Sequence, residues 1–297
     1  MPQPDDRNAL TSIVDPLVLK SLGFYSALHA LAALVIRKRV PKGALLTRSD
    51  LVFLAEKFPS TISALVTALP SFYLHVRSRP WKHDVITPYP KLFDDILAQH
   101  IGYTIYDLAV MVYVGGQHPS AWIHHLLGVA GTAFMRYYRV AGFFPAVFLP
   151  TEITVIATNA LWVLQKFGKD KGKVYGFWLL VRALLFCCIR APAGLAGLVY
   201  ALQVVRKQNA ATDLKNRLTR PDSTLAISAA ASNALIRPPP KAKAPGSLWT
   251  QLRRLPFMVW FLTAVNYMTF SGLNLYWSRL VLIAFKRFNA RSTIHHI

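Results

Sequence analysis

The chain has 297 residues, 54% of them hydrophobic and 16% charged, against about 25% charged in an ordinary soluble domain. The charged residues gather between long apolar runs, which excludes a soluble enzyme and describes a multi-pass membrane protein. Lys and Arg outnumber Asp and Glu by 34 to 13, but the basic clusters sit at the ends of apolar runs and read as orientation signals rather than a nucleic-acid surface.

Residues 1–12 form a polar N-terminal tail, and the first apolar run, 13–36, follows it directly. With no basic region before it and a length beyond that of a cleaved leader, this run is expected to be an uncleaved signal anchor. Arg37, Lys38, Arg39 and Lys42 close it. A second span, 51–76, contains Lys57, Pro59 and Pro70, so a kink is expected there. A polar connector with Pro80, Trp81, Pro88, Tyr89 and Pro90 suits the membrane–water interface. Spans three and four, 96–114 and 121–137, are separated only by a tight turn, with Gly115 and Gly116 ending one and Pro119 opening the other. The fifth is expected over 143–164 and the sixth over 174–205, kinked by Pro192, Gly194 and Gly197. The composition of residues 206–254 is basic and rich in Ala, Ser and Pro, and predicts a disordered loop. A seventh span, 257–285, precedes a basic C-terminal tail, 286–297. The expected fold is thus all-α, a polytopic membrane helix bundle of about seven transmembrane helices. Lys and Arg on the short connections favour a lumenal N-terminus and a cytoplasmic C-terminus.

Four ionisable positions stand where a spanning segment should have none: Asp107, the pair His124 and His125, and Glu152. Polar groups at membrane depth face a bundle interior or a cavity and mark function. At a rise of 1.5 Å per residue, His124 lies roughly 7 Å inside span four, and Asp107 roughly 10 Å from the same face in span three. Neighbouring side chains on a helix diverge by about 100°, so one histidine is expected to face a cavity while the other packs or is oriented by Asp107 or Glu152. A neutral imidazole held by a carboxylate is a competent general base for a hydroxyl or amine attacking a thioester. The same groups could instead tie helices together by buried hydrogen bonds, with an Arg190–Glu152 pair as one such tie. Asn266, Asn274 and Trp277 are expected to be structural, Trp277 at the cytoplasmic interface. Adjacent Cys187 and Cys188 read as small apolar residues, and no third histidine is placed to complete a metal site.

The segments GYTIYDLAVM, AWIHHLLGVAGTAFM, LPTEITVIATNALWVL and GLNLYWSRLVL, taken in order over residues 50–285, resemble the TLC-domain family, which includes ceramide synthases and translocation-associated membrane proteins. The ceramide synthases carry a histidine pair, an Arg-x-Gly and then two aspartates. This chain has His124–His125 and a partial Arg139-Val140-Ala141-Gly142, but a single acid, Glu152, where the aspartates would fall. That departure points away from N-acylation of sphingoid bases and toward the smaller TLC-domain group. The resemblance implies lipid homeostasis in the endoplasmic reticulum membrane, with His124 or His125 as base and Asp107 and Glu152 as orienting acids. No bound cofactor is expected, acyl-CoA being a co-substrate. The expected partners are membrane lipids, and membrane-protein partners or a second copy of the chain. The contrasting expectation is a non-enzymatic membrane cargo receptor or chaperone.

Overall fold

The computed structural model describes residues 15–40, 46–218 and 244–294. The tail 1–12, residues 219–243 of the expected loop and the last three residues lie outside this set. Among the described residues every regular element is helical. Helix α1 is Pro16–Arg39, capped by Asp15, whose carboxylate accepts from Leu17 N at 2.7 Å. Helix α2 is Arg48–Tyr73, opened by a reciprocal box in which Thr47 and Asp50 each cap the other's backbone. It carries both Pro59 and Pro70 within it and ends in a π turn, Leu74–Ser78. Helix α3 is Lys91–Val114 and α4 is Pro119–Tyr138. Glycine ends α3 because both Gly115 and Gly116 have φ of 69°, a region that side chains bearing a Cβ rarely adopt.

The fifth apolar run is long and apolar enough to be the expected span, as Phe143–Lys166, but its backbone is not one regular helix. It breaks into α5, Phe143–Ala146, a 3-10 turn, Leu149–Ile153, and α6, Thr154–Lys166. Pro145 and Pro150 each remove a backbone donor, so the regular ladder cannot run through. The sixth run is α7, Lys173–Leu185, a π turn, Phe186–Arg190, and α8, Ala191–Leu218. Its irregularity lies upstream of the expected site because Pro192 obstructs the carbonyl four residues before it, and an extra residue in that turn makes room. Helix α8 continues to Leu218, so residues 206–218 are helical rather than the start of a disordered loop. Polar Gln208, Asn209, Thr212 and Lys215 are compatible with helix once α8 has left the apolar layer. A short α9, Leu248–Leu252, and the long α10, Phe257–Ile294, complete the chain.

Among the described residues, four stretches are long and apolar enough to cross a membrane: Pro16–Arg39, Arg48–Ser78, Phe143–Lys166 and Lys173–Arg217. Helices α3, α4 and α10 pack among them. The polarity is that of a membrane bundle. Leu31, Leu34, Leu69, Val112 and Leu195 are more than half exposed, while Thr67, Ser71, Thr154 and Asn159 are buried. Helices α1 and α3 approach closely at Gly102, where a Cβ would collide with Ser21 and the Val18 carbonyl. Ser21 Oγ then donates to Gln99 O at 2.7 Å, and Gln99 bonds the Tyr25 hydroxyl. Asn159 of α6 donates to Ser60 Oγ and Thr61 Oγ1 of α2, each at 3.1 Å.

At the end of the bundle where α3 begins, Arg136 of α4 pairs through Nε with Asp94 at 2.9 Å and through a terminal nitrogen with Asp15 at 3.5 Å. The connector Tyr89 donates to Asp94 at 3.3 Å, and burial, reinforced by that carboxylate, pushes its phenol well above the ordinary range. This network joins the starts of α1 and α3 to the end of α4. A broad apolar cluster around Trp81, Phe93, Phe143 and Val204 fills the same end.

Candidate functional site

Local structure sets the height of each polar group. Pro119 opens α4 at its first position, where the missing N–H had no partner, and His118 Nδ1 accepts from Ser120 N at 3.2 Å. The histidine pair therefore falls in the second turn of α4. Asp107 lies two turns before the end of α3, across the tight turn. Glu152 lies in the 3-10 segment between α5 and α6, where irregular backbone is tolerated because it lines a cavity.

These positions converge. A cavity of about 550 Å³ is lined by Asp107, His124, His125 and Glu152 together. A narrower one of about 50 Å³ runs on toward the other end of the bundle and shares His124, His125 and Glu152 with it. The histidines and Glu152 thus stand at the junction of a wide polar space and a narrow space walled by Phe144, Phe148, Leu149 and Phe270.

The two histidines divide the work, as their angular separation requires. His125 Nε2 lies 3.1 Å from Asp107 Oδ2, both side chains largely buried. The carboxylate can only accept, so Nε2 carries the proton and the neutral ring keeps its lone pair on Nδ1. His124 instead packs edge-on against Phe270 and Trp277, with ring centroids 4.8 and 5.4 Å away, and its buried Nδ1 has no hydrogen-bond partner. Glu152 makes no side-chain hydrogen bond or ion pair among the described residues, and its charge lies within electrostatic reach of His100, His125 and Arg190.

The Arg190–Glu152 tie is not formed. Arg190, 5% exposed, donates from Nε to Asn274 Oδ1 at 2.9 Å and from Nη1 to Thr154 Oγ1 at 2.6 Å. Neutral partners there leave the guanidinium charge to act on the cavity it lines. Its face also lies 4.9 Å from the Trp277 ring. Trp277 is part of the cavity wall, donating from Nε1 to Ser120 Oγ at 3.2 Å.

Two further groups belong to the site and lay outside the predicted set. Glu56 of α2, 2% exposed, lines the wide cavity, pairs with Lys57 Nζ at 2.8 Å and accepts from the Tyr103 hydroxyl at 3.2 Å. It carries the same sequence signal as Asp107, an acid inside an apolar run. His100 of α3 lines the narrow cavity with its Nδ1 buried and unpartnered. It lies two turns from Asp107 and at helical spacing from Tyr103 and Thr104, a pattern that does place it on the inward face.

Outward apolar faces, inward polar groups and a polar cavity between helices define an integral membrane helix bundle. The TLC domain model matches residues 54–283, which include every residue of the site, and the chain belongs to the TLC-domain family. No curated protein and no solved structure matches the chain.

Proposed function

We propose that this membrane TLC protein takes a lipid or an acyl-CoA into the joined cavities, transfers an acyl group there, and so serves lipid homeostasis in the endoplasmic reticulum membrane. The observation that carries the reading is the His125–Asp107 pair at the junction of a wide polar cavity and a narrow apolar one. An amphiphile has that same division. A polar end would occupy the wide space among Lys57, Arg182 and Arg190, and the first part of an aliphatic chain would enter the narrow one. The family membership supports a lipid as substrate class, and the resemblance to the smaller TLC-domain group supports the location.

In the proposed step, the hydroxyl or amine of the acceptor attacks the thioester carbonyl carbon while His125 Nδ1 removes its proton. Asp107 holds the ring and stabilises the imidazolium that forms. Collapse of the tetrahedral intermediate breaks the C–S bond, and the proton passes from Nδ1 to the departing thiolate. Glu152, which has no side-chain partner among the described residues, would accept from the acceptor's polar end. Arg190 lines the same cavity, where a developing oxyanion would find its positive charge.

The test is the lipid profile of cells lacking the protein, complemented with the wild-type chain or with His124→Ala plus His125→Ala. The wild type is expected to restore the profile and the double variant to fail at equal abundance. Full restoration by the double variant would end the catalytic reading and favour the receptor or chaperone role.

A further inference from the structure

At the opposite end of the bundle from the histidine pair, a second space of about 380 Å³ is lined by His75, Arg79, Lys82, Tyr200, Gln203 and Lys207. It is cationic without local compensation. No acidic residue lines it, and none of Arg79, Lys82 and Lys207 is in an ion pair among the described residues. The nearest acid in sequence, Asp84, is turned onto its own loop, accepting from Ile86 N at 2.7 Å and Thr87 N at 3.2 Å.

The space is built rather than incidental. Arg79 adopts a left-handed conformation, φ 49°, that ends the π turn, and its Nε is bonded to Val76 O at 2.9 Å. Gln208 of α8 donates to His83 O at 2.7 Å and pins the connector across the mouth. His75 Nδ1 donates to Ser71 O at 2.9 Å, leaving Nε2 buried with no partner among the described residues.

His75, Arg79 and Tyr200 also line an adjoining apolar groove of about 440 Å³, whose walls include Phe72 of α2, Val76 of the π turn that follows it, and Ile189, Ala193 and Ala196. Val76 is 64% exposed on the outer surface, so the groove opens sideways toward the bilayer. A cationic pocket at the membrane boundary that continues into a groove open to lipid matches one ligand chemistry. We propose that this is a binding site for an anionic phospholipid with an exposed phosphate headgroup. The phosphate sits among Arg79, Lys82 and Lys207, and an acyl chain lies between α2 and the Phe186–Ala196 stretch. The proposal goes beyond the acyl-transfer reading, because the cationic pocket shares no residue with the cavities at the histidine pair and the groove meets the narrow one only at Thr151.

Native mass spectrometry of the full-length chain in detergent tests it, with dioleoyl phosphatidate, dioleoyl phosphatidylcholine and inorganic phosphate as probes. Phosphatidate is expected to be retained over phosphatidylcholine, and Arg79→Gln with Lys82→Gln and Lys207→Gln to weaken phosphatidate by on the order of a hundredfold. All three residues are exposed, so the fold is expected to survive. Ala196→Trp, at an exposed groove position, should weaken phosphatidate while leaving inorganic phosphate unaffected. Equal retention of the two lipids, or unchanged phosphatidate binding by the triple variant, overturns the site. So does complete displacement of phosphatidate by inorganic phosphate at equal concentration, which would mean that the groove contributes nothing. Loss of phosphatidate in His124→Ala plus His125→Ala, and not in the triple variant, would assign the lipid to the central cavity and equally overturn it.

Discussion

Asp107 of α3 pairs with His125 of α4 at 3.1 Å, and in the proposed acyl transfer the ring uses its charge rather than its shape. Asp107→Asn keeps the volume and offers an amide that can donate to Nε2, which stabilises the wrong tautomer and removes the lone pair from Nδ1. The expected effect is a fall of about 10²–10⁴-fold in the rate at which the product lipid accumulates, with protein abundance unchanged. An unaltered rate would mean that the pair only ties α3 to α4. A second residue-scale test concerns Gly131, against which the Asn266 side chain is packed so closely that a Cβ would collide with it. Gly131→Val should push α10 from α4 and destabilise the protein by about 1–3 kcal/mol, seen as a lowered melting temperature in detergent. A melting temperature equal to wild type would contradict that packing. The site was legible at this scale wherever a charge interrupted an apolar run, which is how Asp107, the histidines and Glu152 stand out. What the sequence could not show was the choice between partners. Nothing in the chain's order states that Arg190 bonds Asn274 and Thr154 rather than Glu152, because that depends on how α6, the Phe186–Arg190 turn and α10 pack.

At the scale of elements, the Arg136 network is the strongest polar clamp in the fold. Its guanidinium is 7% exposed and is paired with Asp94 and Asp15 from two other helices. Removing it takes the closest cation from Asp94, which keeps Arg139 at 3.8 Å, and one partner from Asp15, so Arg136→Ala should cost about 3 kcal/mol in thermal unfolding followed by tryptophan fluorescence. Lys91→Ala breaks an exposed pair with Asp95 and should change stability by no more than about 0.5 kcal/mol. Similar losses for both would show that the network is not buried in the working protein. Helix positions were readable from apolar run lengths and from proline and glycine punctuation, and the tight turn at 115–118 emerged as expected. The interruption of the fifth run was not, because proline is tolerated inside α2 at positions 59 and 70 yet breaks the ladder at 145 and 150. The difference is tertiary: irregular backbone survives at 145–153 because it lines the cavities, and Glu152 owes its position to that break.

At the scale of the whole molecule, the bundle is polarised along its axis. One end holds the paired histidine and the wide cavity; the other holds the Arg136 clamp, the aromatic cluster and the cationic pocket. The membrane character followed directly from the separation of charge and apolar runs, and family membership follows from residues 54–283. The existence of two cavities meeting at three shared residues could not be read from one chain, since it arises from packing among α3, α4, α10 and the broken fifth run. That junction is the central claim, and a high-resolution experimental structure of the protein purified with its native lipids tests it most directly. Elongated density is expected to pass from the wide cavity into the narrow one, with a polar group within hydrogen-bonding distance of His125 Nδ1. A well-resolved site holding only water, or a narrow cavity closed by Phe270 and Asn266 with the lipids bound solely on the outer surface, would contradict it.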